Sequence, residues 1–536
     1  MKHRNLVSRF GLAALAGSLA LGGVSCAPTE EDGASIDPDE IVGTNSVART
    51  VSLQSFVYVP VGASDRQIQE VAVAQIRPLF GALKAHDIGL GRRLDTPSAY
   101  TAIDTSTFVR DEVTVVDPAR PGTTTRMLRV KFSYSDRATV TKRLQTRRAF
   151  ATTLLFNVGS RGSEIVNACQ SEHQDWGTSG LWYNFEPHLS ACQSLVSAEK
   201  DRITGQRRAL TDPDHQITVD EAARTFLPTT LKITTIARTE NKYPDYHRLF
   251  DDNRLVVASY FGVDKLDDPN DYGARNFFTY IRTVLRARPE LQLQPVAGSD
   301  FTRISFNGAT ISNVTPLQVA GWIVDRTGYP SSVPYAMVDA FRRQVIAQWR
   351  DKTLSFTSPA TVTINGATKS VTAELRVFYG NEEGYGTGAV QRYQSAFRDA
   401  DVFQYTGHSH LGAGPLDARN YSASNFPNRY QVIMVNSCVS FNYYNTFFDM
   451  HPGGTLNLDT VTNGLPVYLE GSGESSARFA VAFFDGRFRS YVQVLTAMHL
   501  NLPWASDYDA NRVADGETDN TFSPTSTRMT MTFPTR

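Results

Sequence analysis

Two histidines and one cysteine stand where this chain could do chemistry. Residues 401–412 read DVFQYTGHSHLG, an apolar run that stops at Gly407 and is followed by His408, Ser409 and His410. Thirty residues after His408, the run YQVIMVNSC ends on Asn436, Ser437 and Cys438. Both runs have the β-branched and aromatic content of buried strands, so each reactive group sits just past a strand end. In a parallel sheet, two such ends can lie side by side, where α/β proteins usually keep their chemistry. A thiol becomes a good nucleophile near neutral pH when an imidazole beside it takes or shares its proton. Acyl transfer also needs donors for the oxyanion, and the backbone N–H groups of Cys438 and Ser409 are suitably located. His408 directly follows the strand-ending glycine and is the preferred base, with His410 as its rival.

The same Gly-His-Ser-His run fits a second chemistry. Two imidazoles one residue apart can serve adjoining metal ions, as in calcineurin-like metallophosphoesterases. Asp245-Tyr246-His247 offers an Asp-x-His, and Gly380-Asn381-Glu382-Glu383 faintly echoes a Gly-Asn-His-Glu. No Gly-Asp-x-x-Asp follows the Asp-x-His, and no histidine lies between His247 and His408, so ligands are lacking. The preferred reading therefore carries no metal and no cofactor. A third reading is not enzymatic at all: a surface lipoprotein that binds a partner on an inactive peptidase core.

The elements that must position these groups begin after a leader. Lys2, His3, Arg4 and Arg9 make a basic start, and FGLAALAGSLALGG is long enough for a signal sequence but short for a membrane span. The segment ends GGVSC and resembles a bacterial lipoprotein signal, with Gly23 where a large aliphatic residue usually stands and Leu21 close by. Lipidation of Cys26 would give an exported protein tethered to the cell envelope, and Ala27 after the cysteine leans toward the outer membrane. Removal of Lys2, Arg4 and Arg9 with the leader changes the formal charge from −1 to −4, which suits a soluble body on a lipid tether. The balance of 53 Lys+Arg against 54 Asp+Glu, with no basic block, gives nucleic-acid binding no support.

Four cysteines have to be accounted for in an oxidising compartment. Cys26 would carry lipid, and pairing Cys169 with Cys192 closes a loop of roughly two dozen residues, worth about 3 kcal/mol in the chain-entropy model. Cys438 is left as a free thiol.

At 536 residues, the chain is too long for one compact core. Residues 27–48 read as a flexible tether, 49–228 as a separate α+β domain, 229–505 as an α/β domain, and 506–536 as a polar tail with an edge strand in RMTMTFP. Within 229–505, the strands RLVVASYFG, AELRVFYGN, DVFQYTGHSH, RYQVIMVNSC and NGLPVYLEGSG alternate with helices, including ARFAVAFFDGRFRSYVQVLTAM as one long helix. This alternation predicts a mostly parallel sheet sandwiched by helices.

A strand ending in Tyr-Thr-Gly-His, then a second ending in Asn-Ser-Cys, resembles the caspase-like cysteine peptidases, closest to gingipains, clostripain and legumain. The resemblance covers residues 229–505 at the level of pattern and is carried by these two motifs. It implies a caspase-like sheet and a catalytic dyad of His408 and Cys438, with Gly407 providing the turn that aims the imidazole. The substrate would be a protein or peptide. It also implies a specificity pocket built partly from PVYLEGSGESS, where Glu470 or Glu474 would favour a basic side chain. The family carries glycine after its histidine. Here Ser409 stands in that place, and its Cβ restricts the backbone.

Overall fold

The computed structural model describes residues 41–42, 46–94, 97–120, 122–236, 242–381, 389–500 and 510–534. Cys26 and the leader lie outside the described residues. Five parallel strands carry the candidate groups. In chain order they are Arg254–Gly262, Ala367–Gly380, Val402–Thr406, Gln431–Asn436 and Leu458–Asn463. In space the second lies beside the first, and the third, fourth and fifth follow on the first strand's other side. The chain thus leaves Arg254–Gly262 first in one direction and then in the other, which opens a crevice at the carboxyl ends of the strands.

Arg254–Gly262, Val402–Thr406 and Gln431–Asn436 are buried on both faces because both faces are covered. Leu255 and Val257 join a core built with the helices Tyr272–Ala287, Val338–Trp349, Ser472–Phe484 and Tyr491–Met498. Val256, Ala258 and Tyr260 point the other way, toward the helix Ala389–Asp399 and a second sheet. That second sheet is mostly antiparallel and includes Ser46–Pro60, Val109–Val116, Thr124–Thr141, Ala149–Leu155 and Phe226–Thr235. Its Val57, Val130 and Phe132 share one apolar cluster with Val256, Tyr260, Phe403 and Tyr405 of the parallel strands. The region expected as a separate N-terminal domain therefore has its own sheet, but its main core is shared with the parallel strands, beside two smaller clusters of its own. The ion pair Arg137–Asp515, 2.9 Å long and nearly buried, ties the two sheets further.

The structure corrects several boundaries. The tether expected to run to residue 48 ends sooner, since Ser46, Val47 and Ala48 are buried in the strand Ser46–Pro60. The expected tail contains the buried strand Arg512–Asp515, which pairs antiparallel with Leu458–Asn463, while Met529–Thr532 is the expected edge strand on Lys352–Ile364. The long C-terminal helix is two helices: Gly486 and Phe488 take positive φ, and Ser490 starts the second with a capping box to Gln493. NGLPVYLEGSG is not a strand. The strand is Leu458–Asn463 just before it, and the chain then passes Pro466 as a loop.

Leu458–Asn463 reads LDTVTN and looks polar, yet all six residues are buried. Several of its polar groups find buried partners, although Asp459 Oδ1 and Thr462 Oγ1 have none among the described residues. Asp459 Oδ2 accepts from the Tyr430 and Tyr491 hydroxyls and from Asn520 Nδ2, and burial pushes this carboxyl up to about 7. A carboxyl raised in the folded state holds a proton that the unfolded chain has lost. Its contribution is therefore full below the ordinary carboxylate range and disappears as pH rises toward 7. Asp459→Asn is expected to flatten this part of the pH dependence of thermal unfolding between pH 4 and 7. An unchanged slope in the variant would contradict the assignment.

Candidate active site

Thr406 stands opposite Asn436 in the parallel register, and His408 and Cys438 each lie two residues further on. Thr406 also stands opposite Phe261, and Asp264 lies three residues beyond that. Adjacent strands are about 4.8 Å apart, so all three residues emerge at neighbouring strand ends. Ser476 on the helix Ser472–Phe484 pins two of these ends: its Oγ is 2.8 Å from Thr406 Oγ1 and accepts from Asn436 Nδ2 at 3.1 Å.

His408 Nε2 is 3.0 Å from Asp264 Oδ1. The hydrogen bond from the imidazole is the main reason that the Asp264 carboxyl lies below its usual range, against a burial effect of opposite sign. Both partners are held from behind. Asp271 Oδ1 accepts the Asp264 N–H at 2.8 Å, Asp271 Oδ2 caps the helix Tyr272–Ala287 through Ala274 N–H, and the Tyr379 hydroxyl donates to the same carboxylate at 2.9 Å. The Tyr405 hydroxyl donates to the His408 carbonyl at 2.8 Å. Sequence reading missed Asp264. Its signal was the same as for the other two, a polar residue just past an apolar strand, in FGVDK.

The loop after His408 turns at His410, Leu411 and Gly412, with φ of 47°, 55° and 78°. Gly407 was expected to supply this turn, but the left-handed glycine is Gly412, where a Cβ would stand 2.4 Å from Arg93 Nη1. Ser409 has φ −76° and ψ −17°, a right-handed conformation open to any L-residue. Its Cβ therefore imposes no strain, and the departure from glycine does not by itself disable the backbone donor. The His410 ring packs edge-on to that of His408, with centroids 5.7 Å apart.

Cys438 is a free, partly buried thiol. Burial pushes it above the ordinary thiol value, opposed by a backbone hydrogen bond at Val467, by Lys84 and by its own backbone N–H. Its Sγ donates to Val467 O at 3.7 Å. The thiol and His408 occupy neighbouring loops but are not hydrogen-bonded to each other in this conformation. Val439, the next residue, is buried with φ 53°. A β-branched residue in the left-handed region stores roughly 1–3 kcal/mol of strain, which the surrounding fold must hold. Strained backbone thus flanks both loops.

Of the two expected specificity carboxylates, Glu474 is engaged elsewhere, accepting from Thr283 Oγ1 at 2.5 Å and from Arg478 Nε at 3.0 Å. Glu470 lines a cavity of about 40 Å³ together with Val467, Ser475 and Arg512. The buried Ser475 Oγ has no hydrogen-bond partner among the described residues. The cavity adjoins the thiol through Val467. Asp245 does not join the His408 loop, because it accepts from the Thr521 and Phe522 N–H groups, and the His247 ring stacks on Phe522. Among the described residues, no three His, Cys, Asp or Glu side chains are grouped to hold a metal ion. Cys169 and Cys192 form the expected disulfide.

Comparison of the chain with protein-family models, curated proteins and solved structures returned no match. Among the described residues, no helix is long and apolar enough to cross a membrane.

Proposed function

We propose that the chain is a cysteine-type peptidase of the caspase-like kind, exported and lipid-anchored at Cys26, that hydrolyses peptide bonds of proteins or peptides. The observation that carries this reading is the convergence of Asp264, His408 and Cys438 at three adjacent strand ends beside the crevice, with the imidazole bonded to the carboxylate at 3.0 Å. With Nε2 held by Asp264, Nδ1 is the ring nitrogen that serves the thiol. The Cys438 sulfur attacks the scissile carbonyl, and the imidazole takes the thiol proton and delivers it to the leaving amine. Water then hydrolyses the thioester. The N–H groups of Cys438 and Ser409 face the oxyanion. Asp264 is a positioning residue that fixes the tautomer and orientation of His408, as a buried carboxylate does in other nucleophile–histidine pairs.

Glu470, rather than Glu474, is the carboxylate available to recognise the substrate side chain, which favours a basic residue before the scissile bond. A reporter panel with basic, acidic and apolar residues at that position tests the activity. Cleavage of the basic reporter by the wild-type chain and none by Cys438→Ala supports the reading, and equal cleavage by both proteins refutes it. The reading of an inactive binding protein is favoured by one observation, the thiol's hydrogen bond to Val467 O in place of His408.

The anchor is tested separately. Cys26→Ser protein is expected to leave the membrane fraction and lose its lipid-modified terminus, and continued retention after a salt wash would contradict the anchor. The disulfide fits the oxidising compartment that this location requires.

A further inference from the structure

Between the helices Tyr272–Ala287 and Val338–Trp349, the chain contains a helical turn of an uncommon kind. The short helix Pro316–Ala320 runs into one π-helical turn, Gly321–Asp325, and ends at Arg326 in the left-handed region, with φ 55° and ψ 38°. A π turn departs from the usual helical hydrogen-bond pattern, and such turns are frequent at functional sites. Here two of its carbonyls are taken by side chains. Arg342 Nη2 donates to Ile323 O at 3.3 Å, and the Tyr329 hydroxyl donates to Trp322 O at 3.0 Å. Trp322 Nε1 in turn donates to Gly328 O at 2.7 Å, which fixes the return of the loop. Left-handed backbone is disfavoured for a residue such as Arg326 and persists only where its surroundings impose it.

What this turn presents is a guanidinium. Arg326 Nη2 donates to Asn270 Oδ1 at 2.5 Å, and Arg342 Nη1 donates to the same oxygen at 3.0 Å. Two positive charges therefore meet on one neutral amide. Arg342 is only 1% exposed, its one carboxylate partner, Asp339, lies 3.3 Å away and is largely exposed, and its Nε has no hydrogen-bond partner among the described residues. Arg326 is exposed and forms no ion pair among the described residues. Burial and the neighbouring Arg326 charge both push the Arg342 guanidinium below its ordinary value. One carboxylate thus offsets two guanidiniums, and a buried charge in that position is costly until an anion joins it. The forked donors of a guanidinium match the oxygens of a carboxylate or phosphate, and a charged acceptor makes a stronger hydrogen bond than an amide does.

We propose that Arg326, Arg342 and Asn270 form a binding site for a small oxyanion, a phosphate or a carboxylate, one oxygen of which takes the point now held by Asn270 Oδ1. Asn270 is exposed, so its amide can turn and offer its NH₂ group to the anion. The buried Arg342 supplies a fixed charge, and the exposed Arg326 closes over the ligand from the left-handed end of the turn. Asn270 lies in the loop that carries Asp264, but binding here needs no peptide hydrolysis and stands apart from the peptidase reading.

The test compares sodium phosphate, sodium acetate and sodium chloride on the full-length chain at equal ionic strength, so that general screening cancels. At about 20 mM, phosphate is expected to raise the thermal midpoint by about 1–2 °C over chloride, and its phosphorus NMR line should broaden in the presence of the chain. Arg326→Gln, a change at an exposed position, should remove the midpoint shift and the broadening together. Asn270→Asp puts a carboxylate at the shared point, so it should raise the midpoint in chloride by a similar amount and no longer respond to phosphate. An acetate response equal to that of phosphate assigns the site to oxyanions in general, and a response to one of them alone tells which source it takes. Phosphate and acetate that both act like chloride overturn the proposal. So does an Arg326→Gln or Asn270→Asp chain that responds as the wild type does.

Discussion

Cys438→Ala and His408→Ala are each expected to lower peptide hydrolysis by about 10³-fold or more, and the double variant to lower it no further. The sulfur is the attacking atom, and the imidazole carries its proton. Either loss disables the same step, so the two effects do not add. His410→Ala should retain most activity, because it is His408 that the Asp264 carboxylate holds at 3.0 Å. Losses that multiply in the double variant, or a His410 effect equal to that of His408, would show that the thiol and this imidazole do not act together.

Asp264→Asn is expected to lower kcat by about 10²-fold with little change in KM. The amide keeps the size of the carboxylate but can turn its NH₂ toward Nε2, favouring the tautomer that leaves Nδ1 protonated and unable to accept from the thiol. A merely structural role would instead reduce stability and leave kcat of the folded fraction unchanged. The contact itself should survive mild acid. A carboxyl lowered in the folded state contributes fully above the ordinary carboxylate range, and the contribution is lost only as pH falls through that lowered value.

The two motifs were legible because buried parallel strands are written as short apolar runs with a polar break at the end. Val402–Thr406 and Gln431–Asn436 are buried along their whole length, and His408 and Cys438 follow at once. Asp264 carried the same mark but was passed over, since nothing in FGVDK says that this strand neighbours the His408 strand. Strand order is a tertiary property, set by which crossovers pack on which face. Leu458–Asn463 was missed for the opposite reason: its polar residues find partners far away in sequence, at Tyr430, Tyr491 and Asn520. The shared core of the two sheets was likewise invisible, because an alternating strand announces a buried face without saying what covers it.

The most direct measurement is labelling with a peptidyl acyloxymethyl ketone bearing a basic residue next to the electrophile, followed by peptide mapping. The thiolate displaces the acyloxy group and is left in a stable thioether, so the label records both the reactive sulfur and the binding of a peptide beside it. In the intact chain, the label is expected on Cys438, to be lost in His408→Ala, and to be slowed by excess unlabelled basic peptide. Labelling of Cys438 that is equally fast in His408→Ala and indifferent to competing peptide would contradict the account.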